Sequence, residues 1–136
     1  MSGETDLNKL IGTMQPVLSE LEYVFASLDK DSPISLALLQ PLGTFYEKEG
    51  LTVIVLKTHA DALEIAYQGA FQCITLNVHS SLDAVGLTAA VSGALTRQGI
   101  SANVVAAYYH DHIFVPTEKA AQALCCLKDL AENVVC

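Results

Sequence analysis

The sequence is poor in basic residues. Lys and Arg together number 7, against 15 Asp and Glu, and the formal net charge is −8. A nucleic-acid-binding protein needs a cluster of basic side chains to neutralise phosphates, and an anionic membrane surface repels a chain of this charge. No stretch approaches the roughly 20 apolar residues needed to span a bilayer. We therefore expect neither nucleic acid nor a membrane among the partners of this protein.

Catalytic and metal-binding motifs are missing as well. The chain has no glycine-rich phosphate loop, no G-x-S-x-G and no H-E-x-x-H. No two of its cysteines form a C-x-x-C pair, the spacing of zinc sites and thioredoxin-type centres. The first residues, MSGETDLNKL, contain no basic region followed by an apolar run. These absences predict a reduced, cytoplasmic protein that is not an enzyme and holds neither a cofactor nor a metal. The cysteines are Cys73, Cys125, Cys126 and Cys136.

Apolar residues, in contrast, are plentiful. They make up 51% of the 136 residues, enough for one compact domain or for two very small ones that share a core.

The first half of the chain alternates short helices with strands. An apolar face at helical spacing predicts a helix over residues 6–15, with Thr5 as its cap. The polar cluster at residues 29–33 predicts a turn. The other predicted elements are a strand at 22–28, a short helical piece at 34–39, a hairpin of 44–48 and 51–57, and a helix opened by a Thr58-x-x-Asp61 capping box.

The second half has a clearer pattern. Residues 71–78 alternate between two faces, as a strand does. A Ser80-x-x-Asp83 capping box precedes a helix at 84–98, which ends at Gly99. Strands are predicted at 102–107 and 112–115, followed by a helix at 117–132 capped by Thr117.

The two halves form an internal repeat. Thr58 and Thr117 each open a helix directly after an apolar strand, 59 residues apart, so that Ile54 falls on Ile113. Each half runs strand, connector, strand, turn, strand, helix, and neither has an obvious final strand of its own. Two incomplete units that complete one another are therefore predicted.

The second half resembles the ACT domain, a small module that binds amino acids. The resemblance lies in residues 80–87 (SSLDAVGL) and in G-I-S-A-N-V-V at residues 99–105, which leads into the second strand of the half. It is similar to the ACT modules of aspartate kinases and of small bacterial proteins with paired ACT units, related to the CASTOR-type arginine sensors. The first half, with EYVFASL and GTFYEKEGLTVIVL, resembles the degenerate N-terminal unit of those proteins.

This resemblance implies an α+β fold of two ferredoxin-like units, each an antiparallel sheet of βαββαβ type with its helices on one face. The units would be residues 1–69, the degenerate one, and residues 70–136. An amino-acid effector would bind between the loop after the first strand and the start of the second strand. Matched residue by residue, the implied ligand-binding residues are Ser81, Asp83, Val85, Gly86, Asn103 and Val104.

The cluster Tyr108-Tyr109-His110-Asp111-His112 allows two interpretations. His110 and His112 alternate, so on a strand they would share a face. A metal needs three or four converging ligands, and the alternative is a hairpin whose polar residues face water. We also considered Cys73 and His112 as neighbours across adjacent strands, although nothing in the sequence indicates a lowered thiol pKa.

Three functions follow from these observations. The first is a regulatory protein that binds an amino acid and passes its state to a partner enzyme. The second is a ligand-free interaction module, and the third is a small metal-binding or cysteine enzyme built on Tyr108–His112. We also expect a homo-oligomer, most simply a dimer, because the predicted strand ANVVAA has no charge and no proline to protect an outer edge.

Overall fold

The computed structural model describes residues 6–77 and 86–134. In these ranges the chain forms six strands, five α-helices and one 3₁₀ turn. In order they are α1 (Leu7–Gly12), β1 (Pro16–Leu28), α2 (Leu36–Leu39), β2 (Gly43–Glu47), β3 (Gly50–Leu56), α3 (Lys57–Ala62), β4 (Phe71–Leu76), α4 (Leu87–Arg97), β5 (Asn103–Ala106), β6 (Asp111–Pro116), a 3₁₀ turn (Thr117–Lys119) and α5 (Ala120–Val134).

These elements belong to two compact units. The first, called here the split unit, consists of Met1–Glu20 together with Gln72–Cys136. The second, called the inserted unit, is the continuous segment Leu21–Phe71. The long strand β1 therefore gives its first five residues to the split unit and its last eight to the inserted unit.

The inserted unit contains three antiparallel strands in the order β2, β3, β1. Strand β3 pairs with β1 so that Leu51 lies opposite Leu28, and it pairs with β2 so that Leu51 lies opposite Tyr46. One face of these strands packs with α2 and α3 into a core of Val24, Ala26, Leu28, Leu39, Val53, Val55, Ala60 and Ile65.

The split unit has its strands in the order β1, β4, β6, β5. Residues 15–20 run beside β4, where the Asn77 amide donates to the Gln15 carbonyl at 3.4 Å and Gln72 Nε2 donates to the Ser19 carbonyl at 2.9 Å. This is the strand order of a βαββαβ unit whose fourth strand comes from the N-terminal segment. The C-terminal half lacks that strand in sequence, and the start of β1 supplies it.

The helices of the split unit lie together on one side of its strands. Helix α5 contacts both α1 and α4, and all three helices share one core with β4 and β6. Its largest fully buried members are Leu10, Met14, Ile74, Leu76, Leu95, Ile113 and Leu127. The predicted α+β class, with an antiparallel sheet and helices on one face, is confirmed.

The repeat between the halves is present, but the predicted alignment is wrong by one residue. In the first hairpin Gly43 pairs with Ile54, and in the second Asn103 pairs with Phe114, so equivalent residues are 60 apart. The helices that follow begin after Leu56 and Pro116, which have almost the same backbone angles (φ −58°, ψ 136° and φ −54°, ψ 138°). The sequence alignment assumed that the Thr58 and Thr117 side chains cap these helices. In the structure the capping positions are Leu56 and Pro116, and neither makes a side-chain capping hydrogen bond.

Several predicted boundaries and caps are corrected as well. Helix α1 ends at Gly12, and β1 begins at Pro16, six residues before the predicted strand. The Thr58 capping box is absent, because α3 begins at Lys57 with no side-chain cap. Asp61 instead accepts hydrogen bonds from Tyr67 Oη at 2.6 Å and from Lys57 Nζ at 3.2 Å. The predicted Ser80-x-x-Asp83 box lies outside the described residues.

Within residues 6–77 and 86–134, no helix combines the length and the apolar character needed to cross a membrane.

Gly86 provides a test of how α1 and α4 pack in the split unit. Its backbone is left-handed (φ 99°), and an added Cβ would lie 3.0 Å from Leu7 Cδ2. We expect Gly86→Ala to lower the free energy of unfolding by about 2–4 kcal/mol, from backbone strain and displacement of Leu7. Urea denaturation measures this change.

The matched control is Gly99→Ala. Gly99 is also left-handed (φ 71°), but an added Cβ would meet nothing within 4 Å, so only the backbone part of the cost is expected. In a Leu7→Ala background, the cost of Gly86→Ala should fall toward that of Gly99→Ala. Equal costs for the two glycines in the otherwise unchanged protein would contradict this packing.

Candidate functional site

The implied ligand-binding residues are only partly described by the structure. Ser81, Asp83 and Val85 lie outside the described residues. Gly86 is the N-cap of α4, and the Leu7 side chain packs against it. The space in front of Gly86 is thus filled by the protein's own first helix.

Asn103 and Val104 lie at the start of β5. The Asn103 side chain donates from Nδ2 to the Phe114 carbonyl at 3.2 Å, and Val104 is half-buried against the core of the split unit. Asn103 thus ties β5 to β6, and Val104 contributes to packing. The ligand-binding role of these six residues stays a prediction.

A cleft of about 480 Å³ opens in the inserted unit, where the sequence predicted only a turn. Its volume is in the range of small-molecule sites. It lies where β1 ends, beside the loop before α2 and the turn between β2 and β3. The lining residues are Leu28, Asp29, Lys30, Ser32, Ile34, Leu36, Tyr46, Glu47, Gly50 and Leu51.

The floor of this cleft is a row of side chains across three strands. Tyr46 lies opposite Leu51, and Leu51 lies opposite Leu28. Residues directly opposite in a sheet share a face, and here it is the face that carries the core of the inserted unit, since Leu28 belongs to that core. The cleft therefore continues the apolar core out to the surface.

The row remains accessible because α2 is short. Helix α2 has 4 residues and ends at Gln40 in a left-handed conformation (φ 49°). The corresponding helix of the split unit, α4, has 11 residues. A single helical turn covers less of its sheet than three turns do.

Gly50 allows β3 to approach the end of β1 at the base of the cleft. A Cβ at this position would lie 2.7 Å from the Leu28 carbonyl oxygen and 2.9 Å from Ser27 Oγ. A Cβ atom does not approach a backbone oxygen so closely. The absence of a side chain at Gly50 thus allows β3 to lie close to the end of β1, where Leu51 pairs with Leu28.

The rim of the cleft is polar and carries both signs of charge. Asp29 and Lys30 follow β1, and Glu47 ends β2, where its carboxylate accepts a hydrogen bond from the Thr52 hydroxyl. The loop is held by two bonds, from the Ser32 amide to the Asp29 carbonyl at 2.9 Å and from the Ile34 amide to Ser32 Oγ at 3.3 Å. An ordered loop with adjacent acidic and basic groups suits a small zwitterion.

The Cys73, Thr75 and His112 side chains form a second polar group, in the split unit. Thr75 Oγ1 is hydrogen-bonded to His112 Nδ1 at 2.9 Å, and Cys73 Sγ lies 3.9 Å from the same hydroxyl. Burial raises the pKa of the Cys73 thiol and is the main cause that lowers the pKa of His112. Cys73 and His112 are thus linked through Thr75, but the thiol is held protonated and is a poor nucleophile.

The histidines of Tyr108–His112 approach one another as the alternation predicted. The His110 and His112 rings are 6.5 Å apart and nearly perpendicular. Among the described residues, no group of three or more His, Cys, Asp or Glu side chains is arranged to hold a metal ion. Tyr108 and Tyr109 are exposed and stack edge to face at 4.9 Å. His110, Asp111 and His112 are half-buried, so the expected hairpin with its polar residues facing water is wrong on this point.

The adjacent thiols on α5 have different environments. Cys125 is exposed, whereas Cys126 is half-buried and donates from Sγ to the Ala94 carbonyl at 3.4 Å. Burial raises the pKa of Cys126, with Arg97 opposing it. Cys126 is thus a packing residue, since it lies against the core of the split unit.

The half-buried His112 side chain generates a prediction of pH dependence. Burial and then the charge of His110 lower the pKa of His112 from its ordinary 6.5, so the unfolded chain takes up the proton at higher pH than the folded protein. The stability that neutral His112 provides is fully present at pH values above its ordinary pKa of 6.5. It is lost as the pH falls through the lower pKa of the folded protein. We expect the free energy of unfolding to fall on acidification from pH 7, and less steeply in His112→Gln.

Asp111 makes the opposite contribution to the pH dependence of the free energy of unfolding, because burial raises the pKa of its carboxyl group. The stability from its protonated form is present at low pH and is lost as pH rises. Urea denaturation across pH should therefore show a steeper loss on acidification in Asp111→Asn than in the unchanged protein. Identical slopes for the unchanged protein and His112→Gln would contradict the assignment.

Comparison with known proteins gives relatives of several kinds. A Vibrio cholerae protein of unknown function, described as a possible transport protein, is 45% identical, with a TM-score of 0.83 over 92% of this chain and 95% of the other. An Agrobacterium tumefaciens protein is 19% identical, with a TM-score of 0.66 over 81% of this chain and 83% of the other. The ligand-free regulatory subunit of aspartate kinase from Thermus thermophilus is 12% identical, with a TM-score of 0.58 over 85% and 95%. No curated protein matches the sequence.

Models of protein families match both halves. One model described as ACT domain matches residues 2–72, and a second, also described as ACT domain, matches residues 70–129. The two matches meet near residue 70 and together span most of the sequence. The chain therefore belongs to the ACT-domain family and contains two ACT units.

Proposed function

We propose that this protein is a non-catalytic regulator that binds a free amino acid and transmits the bound state to a partner enzyme. ACT domains are regulatory small-molecule-binding modules, and solved structures with this fold include regulatory subunits of aspartate kinase. The cleft of the inserted unit carries the proposal. It combines an apolar floor with a rim that has a carboxylate and an ammonium group next to each other.

The chemistry of an amino acid fits that rim. Its carboxylate would pair with Lys30, and its ammonium group with Asp29, both on the loop after β1. Charge-assisted hydrogen bonds of this kind are stronger than neutral ones. Binding would stabilise the loop conformation that forms the cleft, and a partner that recognises this conformation would sense the amino acid.

Residues 81–86, with Asn103 and Val104, are the second location that we propose for the amino acid. The first turn of α4 contains no acidic residue, and a helix N-terminus with free amides favours a carboxylate. Variants can separate the two locations, because they lie on different segments of the chain.

Two features support further parts of this proposal. The described cysteines Cys73, Cys125 and Cys126 are free thiols, which agrees with a reducing compartment such as the cytoplasm. Phe45 and Tyr46, on the outer strand β2, are 70% and 81% exposed. These exposed aromatics favour the ligand-free interaction module as the second candidate function.

A thermal-shift screen of the proteinogenic amino acids tests the first candidate. An amino acid at 100 times its dissociation constant should stabilise the folded protein by about 2.7 kcal/mol. A protein that none of them stabilises at millimolar concentration would contradict the proposal and favour the interaction module.

Paired substitutions assign the location. Asp29→Asn is expected to reduce the shift if the amino acid binds in the cleft, and Asp83→Ala if it binds at residues 81–86. Glu49→Gln is the control, because Glu49 lies on the turn between β2 and β3 but is not among the residues that line the cleft. An equal reduction in Asp29→Asn and Glu49→Gln would argue against direct contact with Asp29.

We also propose that the protein is a homodimer through β5. This strand is the outermost of the split unit, and its residues 103–106 (NVVA) have no charged side chain. Light scattering at micromolar concentration should give about twice the 14.5 kDa chain mass, and Val105→Lys should reduce it, since a lysine on an edge opposes strand pairing. A mass of one chain that does not change with concentration would contradict the dimer.

A further inference from the structure

We infer that the cleft of the inserted unit selects amino acids with an apolar side chain. This inference rests on the proposed function and adds the class of effector. It follows from the kinds of side chain that form the floor and the rim, and from a comparison of the two units.

The floor and walls of the cleft are apolar. Leu28, Leu51 and Tyr46 form the row across the strands, and Ile34 and Leu36 come from the loop and from α2. Leu36 is 39% exposed and Tyr46 is 81% exposed. A ligand side chain on this floor would remove apolar surface from water on both partners, and that term favours binding.

The charged residues lie on the rim, where they suit the group that all amino acids share. Asp29 and Lys30 are consecutive residues of the loop after β1, and Glu47 lies across the cleft at the end of β2. The ligand's ammonium group would pair with Asp29 and its carboxylate with Lys30, whereas Glu47 already accepts a hydrogen bond from the Thr52 hydroxyl. A ligand with an acidic side chain would bring a further carboxylate toward Asp29 or Glu47.

A basic ligand side chain is also disfavoured. To reach the floor, it would place its charge over Leu28 and Leu51, which offer no hydrogen-bond acceptor in their side chains. Burying a charge without a partner is costly. The cleft therefore discriminates by the cost of removing a polar side chain from water as well as by the gain from an apolar one.

The split unit shows that this floor is a specific property of the inserted unit. At the separation of 60 residues, Tyr46 corresponds to Ala106 and Leu51 to Asp111, and each pair lies opposite its partner in its own hairpin. The split unit thus has a small residue and a carboxylate where the inserted unit has two large apolar side chains. The two hairpins therefore share their strand register, but the apolar residues that form the floor of the cleft are not repeated in the split unit.

Isothermal titration calorimetry with leucine, methionine, phenylalanine, serine, aspartate and arginine tests the inference. Leucine, methionine or phenylalanine should bind at least about tenfold more tightly than the other three, the difference that burying one apolar side chain supplies. Tightest binding of serine, aspartate or arginine would overturn the inference and leave the proposed function intact. Binding of none of the six, with no response in the full amino-acid screen, would overturn both.

Two pairs of variants separate the floor from the rim. Leu36→Asp should weaken leucine binding about tenfold and leave serine binding nearly unchanged. Leu38→Asp is its matched control on the same helix, since Leu38 is 70% exposed and does not line the cleft. Lys30→Ala should instead weaken every amino acid alike, with Lys48→Ala, on the nearby hairpin turn, as its control.

Thermal unfolding of each variant without ligand keeps this test interpretable. An aspartate in the first turn of a helix is favourable, so Leu36→Asp should remain folded. A folded Leu36→Asp variant that binds leucine as tightly as Leu38→Asp does would overturn the inference. If a folded Lys30→Ala variant no longer binds leucine but still binds serine, Lys30 does not bind the group that all amino acids share. That result would overturn the separate roles assigned to the rim and the floor.

Discussion

Strand β1 is the element on which both units depend. It is 13 residues long, and its backbone hydrogen bonds are divided between β4 in the split unit and β3 in the inserted unit. Leu18, near its start, packs against the core of the split unit, whereas Val24 and Ala26 belong to the core of the inserted unit. A shift of one residue in its register would turn these apolar side chains away from their cores. One strand thus contributes to the sheet and the core of each ACT unit.

The order of elements was predictable because apolar periodicity and turn residues are local signals. The hairpins, the amphipathic helix α5 and the one-sided packing of α4 follow from patterns within a few residues of each other. The family resemblance depends on the same order, which explains why it could be recognised from one sequence. The start of β1 was missed, since Ser19, Glu20 and Glu22 interrupt its apolar pattern and Pro16 reads as a stop signal. Its pairing with β4 satisfies those backbone groups, and that partner is more than 50 residues away in sequence.

The cleft was not predictable for a different reason. Its floor depends on the register between strands that are distant in sequence, and its opening depends on a helix that stops after one turn. Residues 29–33 are polar and were correctly interpreted as a turn, yet the apolar surface beneath them comes from Leu51 and Tyr46. The one-residue error in the repeat had a similar origin. Side-chain caps were expected at Thr58 and Thr117, but the backbone at Leu56 and Pro116 begins the helical segments.

The discontinuity of the split unit has a consequence for synthesis of the protein. Helix α1 and the first residues of β1 leave the ribosome before the inserted unit, but the β4 strand and the α4 and α5 helices that belong to the same unit are made after it. The inserted unit, in contrast, is complete in sequence once Phe71 has emerged. Until β4, α4 and α5 have emerged, the apolar side chains of Leu10 and Met14 have no core to enter, so the nascent chain exposes a hydrophobic segment ahead of the inserted unit. Such a segment is a natural binding site for chaperones, and long-range closure of this kind slows folding.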